Sequence, residues 1–324
     1  MRAILCKELG PADKLVIEDV PSPQVSGDGV KVKVKAAGLN FPDTLIIEGK
    51  YQIKPELPFS PGGEMAGEII EVGPDVKNLK PGMRVMGLTG YGSFAEEMVI
   101  GESRVIPVPD GMKDETAAAF SMVYGTSYHA LKQRANIQPG ETLVVTGAAG
   151  GTGLAAVQIG KAMGARVIAV CSTAEKLEVA RANGADVLIN YSEKDLKTEL
   201  KAATNGQGAD VAYDAVGGDA FDALSRCMAW NGRLLVIGFA SGTIPKLPVN
   251  LTLVKGYGVL GVFWGTFTMK QPKDYAQNMR ELLQWYVDGK VKVVIDQAYP
   301  LENTVDALNK VMNRQVTGKV ILTC

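Results

Sequence analysis

Apolar and polar positions divide the chain into two regions of different texture. Before residue 123 the apolar runs are short and separated by turns, and eleven of the sixteen prolines lie there. The runs that predict strands are Val30–Ala36, Ala66–Val72, Arg84–Gly87 and Phe94–Ile100. Because proline and glycine interrupt them so often, this part predicts an irregular, turn-rich antiparallel β domain.

After Ala117 strands alternate with helix-like segments. The predicted strands are Thr142–Thr146, Arg166–Val170, Val187–Asn190, Val211–Val216, Arg233–Ile237 and Val259–Phe263. Parallel neighbours need crossover connections, so these repeated units predict an α/β domain with a doubly wound parallel sheet. The tail after Thr266 predicts two helices and two strands, in the order Tyr275–Asp288, Val291–Ile295, Glu302–Arg314 and Gly318–Leu322.

Length, charge and cysteine usage narrow the class of protein. A chain of 324 residues predicts two domains. The formal net charge is −1, with basic and acidic residues interspersed, so nucleic acid is not an expected partner. The four cysteines form no CxxC pair, and the N-terminus lacks the apolar run of a secretory signal. Glycines interrupt the uncharged stretch Thr142–Gly160, which therefore predicts no membrane span. We expect a cytoplasmic protein.

A glycine-rich turn follows the predicted strand that ends at Thr146. The segment GAAGGTG, residues 147 to 153, matches an AxGxxG variant of the dinucleotide-binding pattern. Alone this match is weak and also fits a structural turn. A strand before it, a helix after it and another strand about 20 residues on favour a cofactor pyrophosphate at the helix N-terminus. The candidate binding residues are Ala149, Gly150, Gly151, Thr152 and Gly153.

The end of the second predicted strand bears on the choice of dinucleotide. An NAD site would normally place Asp or Glu there, but the chain has Ser172-Thr173, and Lys176 follows. Small hydroxyls and a lysine suit the 2′-phosphate of NADPH. Lys176 as a solvated helix residue is the alternative, and Glu175 beside it complicates the preference.

Four stretches and the tail RQVTGKVIL together resemble the medium-chain dehydrogenase/reductase family, in particular its zinc-independent quinone oxidoreductases. The stretches are Ala36–Tyr51 (AAGLNFPDTLIIEGKY), Pro58–Gly73 (PFSPGGEMAGEIIEVG), the glycine turn and Gly208–Gly242. The resemblance implies a GroES-like β domain over residues 1–122 and a Rossmann NADPH-binding domain over 123–265. It also implies that residues 266–324 return to the first, catalytic domain.

The zinc-dependent members of the family carry Cys in place of Asn40 and His in place of Gly63, just before the glutamate that matches Glu64. This chain has neither ligand, and its one histidine, His129, is expected to be an ordinary helix residue. No cysteine lies between Cys6 and Cys171, so the four-cysteine structural zinc loop is missing as well. We expect no bound metal.

The resemblance also nominates site residues. Asn40 and Asp43 are expected at the nicotinamide end, and Tyr51 resembles the substrate-side tyrosine, with a packed loop aromatic as its alternative. Thr126 is expected near the nicotinamide, with a helix N-cap as its alternative. The remaining nominated cofactor residues are Ser172, Lys176, Tyr191 and Arg314 toward the adenine end, Phe239 and Ser241 at the nicotinamide ribose, and Phe263 in the later part of the cleft. As plain sequence, the segment VFWG around Phe263 and Trp264 reads as a sheet edge or dimer interface.

Three functional hypotheses follow. The favoured one is an NADPH:quinone oxidoreductase, because quinones need no metal to become electrophilic. The first alternative is an NADPH-dependent reductase of enones or enoyl thioesters, in which Tyr51 would protonate the α-carbon. The second is a non-catalytic NADPH-binding protein with a structural or sensory role. The family resemblance implies a homodimer joined through the edge strand of the Rossmann sheet.

Overall fold

The computed structural model describes all 324 residues. The strands are β1 (Arg2–Leu5), β2 (Val16–Asp19), β3 (Gly29–Gly38), β4 (Glu64–Val72), β5 (Arg84–Leu88), β6 (Glu97–Gly101), β7 (Val105–Pro107), β8 (Thr142–Thr146), β9 (Arg166–Cys171), β10 (Val187–Asn190), β11 (Ala209–Asp214), β12 (Met228–Val236), β13 (Gly258–Gly261), β14 (Ile295–Pro300) and β15 (Lys319–Thr323). The α-helices are α1 (Phe41–Ile47), α2 (Asp114–Ala118), α3 (Ser121–His129), α4 (Gly151–Ala162), α5 (Ala174–Ala182), α6 (Leu196–Ala203), α7 (Gly218–Ser225), α8 (Asn250–Lys255), α9 (Trp264–Lys270), α10 (Pro272–Val287) and α11 (Thr304–Met312). None of these helices combines the length and the apolar character that crossing a lipid bilayer requires.

The chain forms two compact units. Unit 1 contains residues 1–122 and 293–324, and unit 2 contains residues 123–292. The sheet of unit 1 has the order β14-β15-β3-β4-β5-β7, with β6 paired to the first half of β3. All its pairs are antiparallel except β14 with β15. The predicted antiparallel β domain is confirmed.

Two strand predictions in unit 1 were misplaced. The run Phe94–Ile100 becomes β6 only from Glu97, because Phe94 is fully buried in the core and its backbone N–H donates to the carbonyl of Pro61. The predicted strand Val291–Ile295 is irregular up to Val294, and β14 begins at Ile295. In both places an apolar run marked burial, which an irregular segment also satisfies.

Unit 2 contains a six-stranded sheet in the order β10-β9-β8-β11-β12-β13, and every neighbouring pair is parallel. Numbered along the chain from β8, this is the order 3-2-1-4-5-6 of a doubly wound dinucleotide-binding fold. The central strands are buried on both faces, with Val144, Ile168 and Leu234 at 0% exposure. The carboxyl ends of these strands therefore meet at one edge of the sheet, where such folds bind ligands.

The predicted return to the first unit at residue 266 comes too early. The helix α10, which was predicted as part of the returning segment, belongs to unit 2. Its Glu281 accepts hydrogen bonds from Tyr128 and Lys132, and its Leu282 is fully buried. The return begins at Val293, because the helix buries its apolar face within unit 2 and forms a half-buried ion pair with Lys132 there.

Candidate functional site

A buried polar cluster lies in unit 1 where β3 ends and α1 begins. It consists of Asn40, Asp43, Glu64 and Lys319, and we call it the polar cluster. Asn40 is the last extended residue before α1, and its backbone N–H donates to Asp43 Oδ2 over 2.7 Å. Its side-chain Nδ2 donates to Glu64 Oε1 at 2.9 Å and to the Gly38 carbonyl at 3.3 Å. The end of β3, the start of β4 and the start of β15 together position these side chains.

The cation of the polar cluster is the ammonium group of Lys319. Its Nζ donates to the Leu39 carbonyl at 2.6 Å, to Asn40 Oδ1 at 2.6 Å and to Glu64 Oε1 at 2.8 Å. The side chains of Lys319 and Glu64 are only 4% and 1% exposed. The second oxygen of Glu64 accepts the backbone N–H of Met122 at 2.9 Å. Both buried charges are therefore paired and hydrogen-bonded, as burial demands.

Asp43 is the titratable group of the cluster. Its side chain is 2% exposed, and burial raises its pKa to about 7, while the Asn40 N–H and the Lys319 charge oppose that rise. A carboxyl with this pKa exchanges its proton near neutral pH, which suits acid–base chemistry.

Tyr51 lies in the loop after α1 and packs against the apolar core of unit 1. Burial raises the pKa of its phenol, and the Asp43 carboxylate raises it further. The phenol therefore keeps its proton at neutral pH and is a hydrogen-bond donor. The ring packs as expected for a loop aromatic, and the role of the hydroxyl toward a substrate stays a prediction.

The glycine turn, Gly147–Gly153, connects β8 to α4 in unit 2. Gly147 has a φ of +62°, and its N–H donates to the Val170 carbonyl at 3.1 Å. A Cβ on Gly153 would lie 2.1 Å from the Gly147 carbonyl oxygen, so this position requires glycine. Gly150 caps α4 without a side chain, and the first N–H groups of this 12-residue helix have no partner within the helix. Such a helix start binds anions.

A buried hydrogen-bond network supports the glycine turn. Ser127 Oγ donates to the Thr152 carbonyl at 2.8 Å and lies 2.9 Å from the Tyr213 hydroxyl. Thr146 Oγ1 donates to Asp214 Oδ1 at 2.6 Å, and the same carboxylate accepts the Gly217 N–H at 3.1 Å. The network fixes the loops after β8 and β11. Sequence reasoning assigned none of its side chains a role.

The loop that follows β12 packs on the loop that follows β11. The N–H of Ser241 donates to the Val216 carbonyl at 2.9 Å, and that of Gly218 donates to Thr243 O at 3.1 Å. Gly217 has a φ of +71°, and a Cβ at this position would lie only 3.0 Å from the Phe239 ring. Phe239 and Ser241 thus lie at the carboxyl edge of the sheet, as predicted for strand-end residues.

The residues at the end of β9 form a small polar group in unit 2. Ser172 follows β9, and Thr173 caps α5 by accepting the Lys176 N–H at 3.3 Å. Lys176 is half-buried. Burial raises the pKa of the nearby Cys171 thiol, and the positive charge of Lys176 opposes that rise. The Tyr191 N–H donates to the Cys171 carbonyl at 3.1 Å, which brings Tyr191 to the same strand end.

Three other predicted site residues belong to other elements of the fold. Arg314 belongs to unit 1, where it follows α11 with a φ of +56°. Thr126 is an interior residue of α3, so its alternative reading as a helix N-cap was wrong. Phe263 is 53% exposed and precedes α9, whereas its neighbour Trp264 is buried and contacts Tyr275 edge to face.

His129 ends α3 as a buried residue of unit 2. Its Nδ1 lies 3.1 Å from Gln133 Oε1, and its ring stacks on Phe267 with 3.9 Å between centroids. Burial lowers its pKa, so the imidazole is neutral at pH 7. Its partners are a helix side chain and an aromatic ring, as expected for a structural histidine.

Comparison with known proteins places this arrangement in a family. Residues 26–110 match the model of the alcohol dehydrogenase GroES-like domain, and residues 151–285 match that of zinc-binding dehydrogenases. The quinone oxidoreductase-like protein 2 homolog of Nematostella vectensis is 41% identical over 99% of this chain and 88% of its own length. The chain belongs to the medium-chain dehydrogenase/reductase family. The predicted family and its two-part α/β fold are confirmed.

Further relatives refine the type. Quinone oxidoreductase-like protein 2 of Bos taurus is 39% identical over 99% of this chain and 92% of its own. The crystal structure of Escherichia coli quinone oxidoreductase complexed with NADPH superposes with a TM-score of 0.93, at 30% identity and 100% coverage of both chains. The protein is therefore an oxidoreductase of the quinone oxidoreductase-like type.

The name of one matched family model refers to zinc, but the donor set of unit 1 does not fit that metal. The polar cluster offers the amide of Asn40 and the carboxyl groups of Asp43 and Glu64, and the Lys319 ammonium already engages Asn40 Oδ1 and Glu64 Oε1. Nowhere does the chain bring three His, Cys, Asp or Glu side chains together as a metal site would require. The residues of unit 1 therefore do not form a zinc site.

Lys319 is the main functional candidate that sequence reasoning missed. The only local signal was a lysine that opens an otherwise apolar run, KVIL, which forms a fully buried strand. A charged residue in such a run predicts a buried partner. The partner, Glu64, is 255 residues away in the chain, so its identity could not be read from the pattern.

Proposed function

We propose that this protein is an NADPH:quinone oxidoreductase. The observation that carries the proposal is the polar cluster, whose buried cation is an ammonium group and whose Asp43 carboxyl has its pKa raised to about 7. In such a site the Asp43 carboxyl can offer a proton to an acceptor, while the ammonium holds the Asn40 amide beside it. An acceptor that is electrophilic by itself, such as a quinone, can then accept a hydride without activation by a metal.

The glycine turn and the strand ends of unit 2 support the choice of cofactor. The N–H groups that begin α4, at Gly151, Thr152 and Gly153, would hold the pyrophosphate, with Ala149 and Gly150 allowing its approach. Ser172, Lys176, Tyr191 and Arg314 are proposed to recognise the 2′-phosphate, and no carboxylate occupies the end of β9. The NADPH of the Escherichia coli relative supports this assignment.

The remaining assignments concern the reaction itself. When bound, NADPH supplies a hydride from its nicotinamide ring. Thr126, Phe239, Ser241 and Phe263 are proposed to position that ring. Tyr51 keeps its phenol proton at neutral pH and would donate a hydrogen bond to the acceptor oxygen as negative charge develops there.

The test is a set of initial rates with NADPH and NADH against ortho- and para-quinones and an enoyl thioester. We expect NADPH oxidation with at least one quinone, and a lower rate with NADH. Turnover of the enoyl thioester alone would favour the enone or enoyl reductase, for which the protonated Tyr51 phenol is also suited. Tight NADPH binding without turnover of any acceptor would favour a non-catalytic role.

We also propose a homodimer through the edge of the unit 2 sheet. Strand β13 has a neighbour on one side only, and Trp230, Leu253 and Val254 beside it are more than 70% exposed. An unpaired edge flanked by apolar side chains favours pairing with a second copy. Light scattering should give twice the chain mass for the wild type and a smaller mass for Leu253→Glu. Val287→Glu, a change at an exposed valine at the end of α10, should remain dimeric.

A further inference from the structure

The Lys319 ammonium has every donor committed. A lysine carries three N–H donors, and the Leu39 carbonyl, Asn40 Oδ1 and Glu64 Oε1 accept one each at 2.6 to 2.8 Å. Because Lys319 is buried and has no donor to spare, it cannot bond a substrate directly. Any influence on a reaction must pass through the residues that it holds.

The first of those residues is Asn40. Its Oδ1 accepts from Lys319 and its Nδ2 donates to Glu64 Oε1 at 2.9 Å, so the two charged partners fix which way the amide faces. A rotated amide would place its NH₂ group against the ammonium and its oxygen against the carboxylate. Both contacts would be repulsive, and the low dielectric of the interior makes them costly.

The second residue is Asp43, whose carboxyl is hydrogen-bonded to the backbone of Asn40. The Asn40 N–H donates to Asp43 Oδ2 at 2.7 Å. The charged and titratable groups that face Asp43 are Lys319 on β15, Glu64 on β4 and Tyr51 in the loop after α1. The charge of Lys319 favours the ionised carboxylate, and that of Glu64 opposes it.

Building on the proposed function, we propose that Lys319 is a positioning residue whose ammonium, as a built-in cation, fixes the side-chain amide of Asn40, the residue whose backbone N–H holds the Asp43 carboxyl. In this arrangement a side chain from the last strand of the chain orders the residues at the start of α1. The proposal assigns Lys319 a role in the reaction beyond joining β15 to β3.

A second nearly buried lysine in the same sheet provides a matched control. Lys31 on β3 lies 2.6 Å from Glu71 on β4, and its side chain is 9% exposed. This ion pair connects two strands, but Glu71 is half-exposed, and Lys31 lies near the start of β3 whereas Asn40 follows its end. A Lys31→Met variant therefore loses a buried-lysine ion pair without disturbing Asn40.

The experiment compares Lys319→Met, Glu64→Gln, the double variant and Lys31→Met in the full chain. Methionine keeps the length of the lysine stem, so packing changes little. The three readouts are the melting temperature, the titration of the Asp43 carboxyl by carbon-13 NMR, and kcat and KM with NADPH and a quinone. The melting and NMR readouts need no turnover.

We expect Lys319→Met to melt several degrees lower, because Glu64 is left charged and unpaired. The double variant should regain most of that loss, yet its kcat should stay on the order of tenfold or more below wild type, with the KM for NADPH nearly unchanged, because Asn40 is no longer fixed. The Asp43 midpoint should move up in Lys319→Met and down in Glu64→Gln. Lys31→Met should leave kcat and the midpoint unchanged.

A purely structural Lys319 gives a different result. In that case the double variant regains kcat together with its melting temperature, and the Asp43 midpoint is the same in Lys319→Met as in Lys31→Met. Either finding overturns the proposal. If the wild type reduces no quinone, the proposed function fails, while the melting and NMR results still decide whether Lys319 orders Asn40 and Asp43.

Discussion

The glycine turn of unit 2 and the polar cluster of unit 1 are two candidate functional regions built in opposite ways. The turn is seven consecutive residues, and what it offers a ligand is backbone N–H groups. The cluster is assembled from three distant segments, and what it offers is side-chain charge and protons. Backbone sites leave a local pattern in a sequence, whereas side-chain sites made by tertiary contacts do not.

The largest effect is expected where the backbone has least room. Gly153→Ala would place a Cβ 2.1 Å from the Gly147 carbonyl oxygen, so the turn must shift. We expect a loss of about 1–3 kcal/mol in the free energy of unfolding and at least a roughly 100-fold loss of NADPH affinity. Denaturant unfolding and calorimetry check the two parts.

Gly150→Ala is the matched control for this prediction. A Cβ there meets the Gly147 carbonyl at 3.4 Å, which the protein tolerates. It should keep the wild-type stability and weaken NADPH binding about tenfold, or about 1.4 kcal/mol, through the closer approach to the pyrophosphate. Unchanged NADPH affinity in both variants would mean that the turn is only structural.

The next effect separates the two catalytic hypotheses for unit 1. Tyr51→Phe removes the phenol proton, and we expect a roughly 100-fold lower kcat with an enoyl thioester, whose α-carbon needs a positioned acid. With a quinone the loss should be smaller, because water can protonate the hydroquinone oxygen. Tyr91→Phe, at an exposed tyrosine of the same unit, should match wild type with both acceptors. Equal rates for Tyr51→Phe and wild type would remove Tyr51 from the chemistry.

Asp43 should make the stability of unit 1 depend on pH. Its pKa in the folded protein is raised from 3.8 to about 7, so folding favours the protonated form. The stabilisation is present at low pH and is lost as pH rises from about 4 to about 7. Relative to Asp43→Asn, the wild type should lose about 3–4 kcal/mol across this window in urea unfolding. The exposed-site variant Asp110→Asn should show no such difference, and a flat wild-type profile relative to Asp43→Asn would contradict the assignment.

The smallest effect concerns cofactor preference. Lys176→Ala and Arg314→Ala should each raise the KM for NADPH about tenfold, or about 1.4 kcal/mol, and spare the KM for NADH, because only NADPH carries the 2′-phosphate. Arg181→Ala on the same helix as Lys176 removes an exposed cation that pairs with Glu178 and should change neither KM. Equal losses for NADPH and NADH would show that the phosphate assignment is wrong.

The contrast between local patterns and tertiary contacts also explains how much of the fold could be predicted from the sequence. The six parallel strands of unit 2 were predicted because buried parallel strands form continuous apolar runs. Phe94 and Val291 misled the strand predictions, because burial in an irregular segment leaves the same apolar signal. The early boundary at residue 266 arose because periodicity identifies a helix such as α10 but does not tell which unit its apolar face packs against.

The candidate site divides in the same way. The glycine turn and the strand end with Ser172 and Lys176 could be located from the sequence, because each depends on residues adjacent in the chain, and their roles in cofactor binding stay predictions. Lys319 could not, because its three acceptors lie more than 250 residues away and only the pairing of β15 with β3 brings them together. Family resemblance pointed to Asn40 and Asp43, but the cation that holds them required the structure.

The most direct test of the central claim is turnover after metal removal. The cation of the polar cluster in unit 1 is an ammonium group, and the proton that the cluster offers an acceptor is that of the Asp43 carboxyl. Initial rates of NADPH oxidation with a quinone would be measured after dialysis against a strong chelator, before and after adding back zinc. We predict an undiminished rate that zinc does not increase. A rate that falls with chelation and returns with zinc would contradict the account.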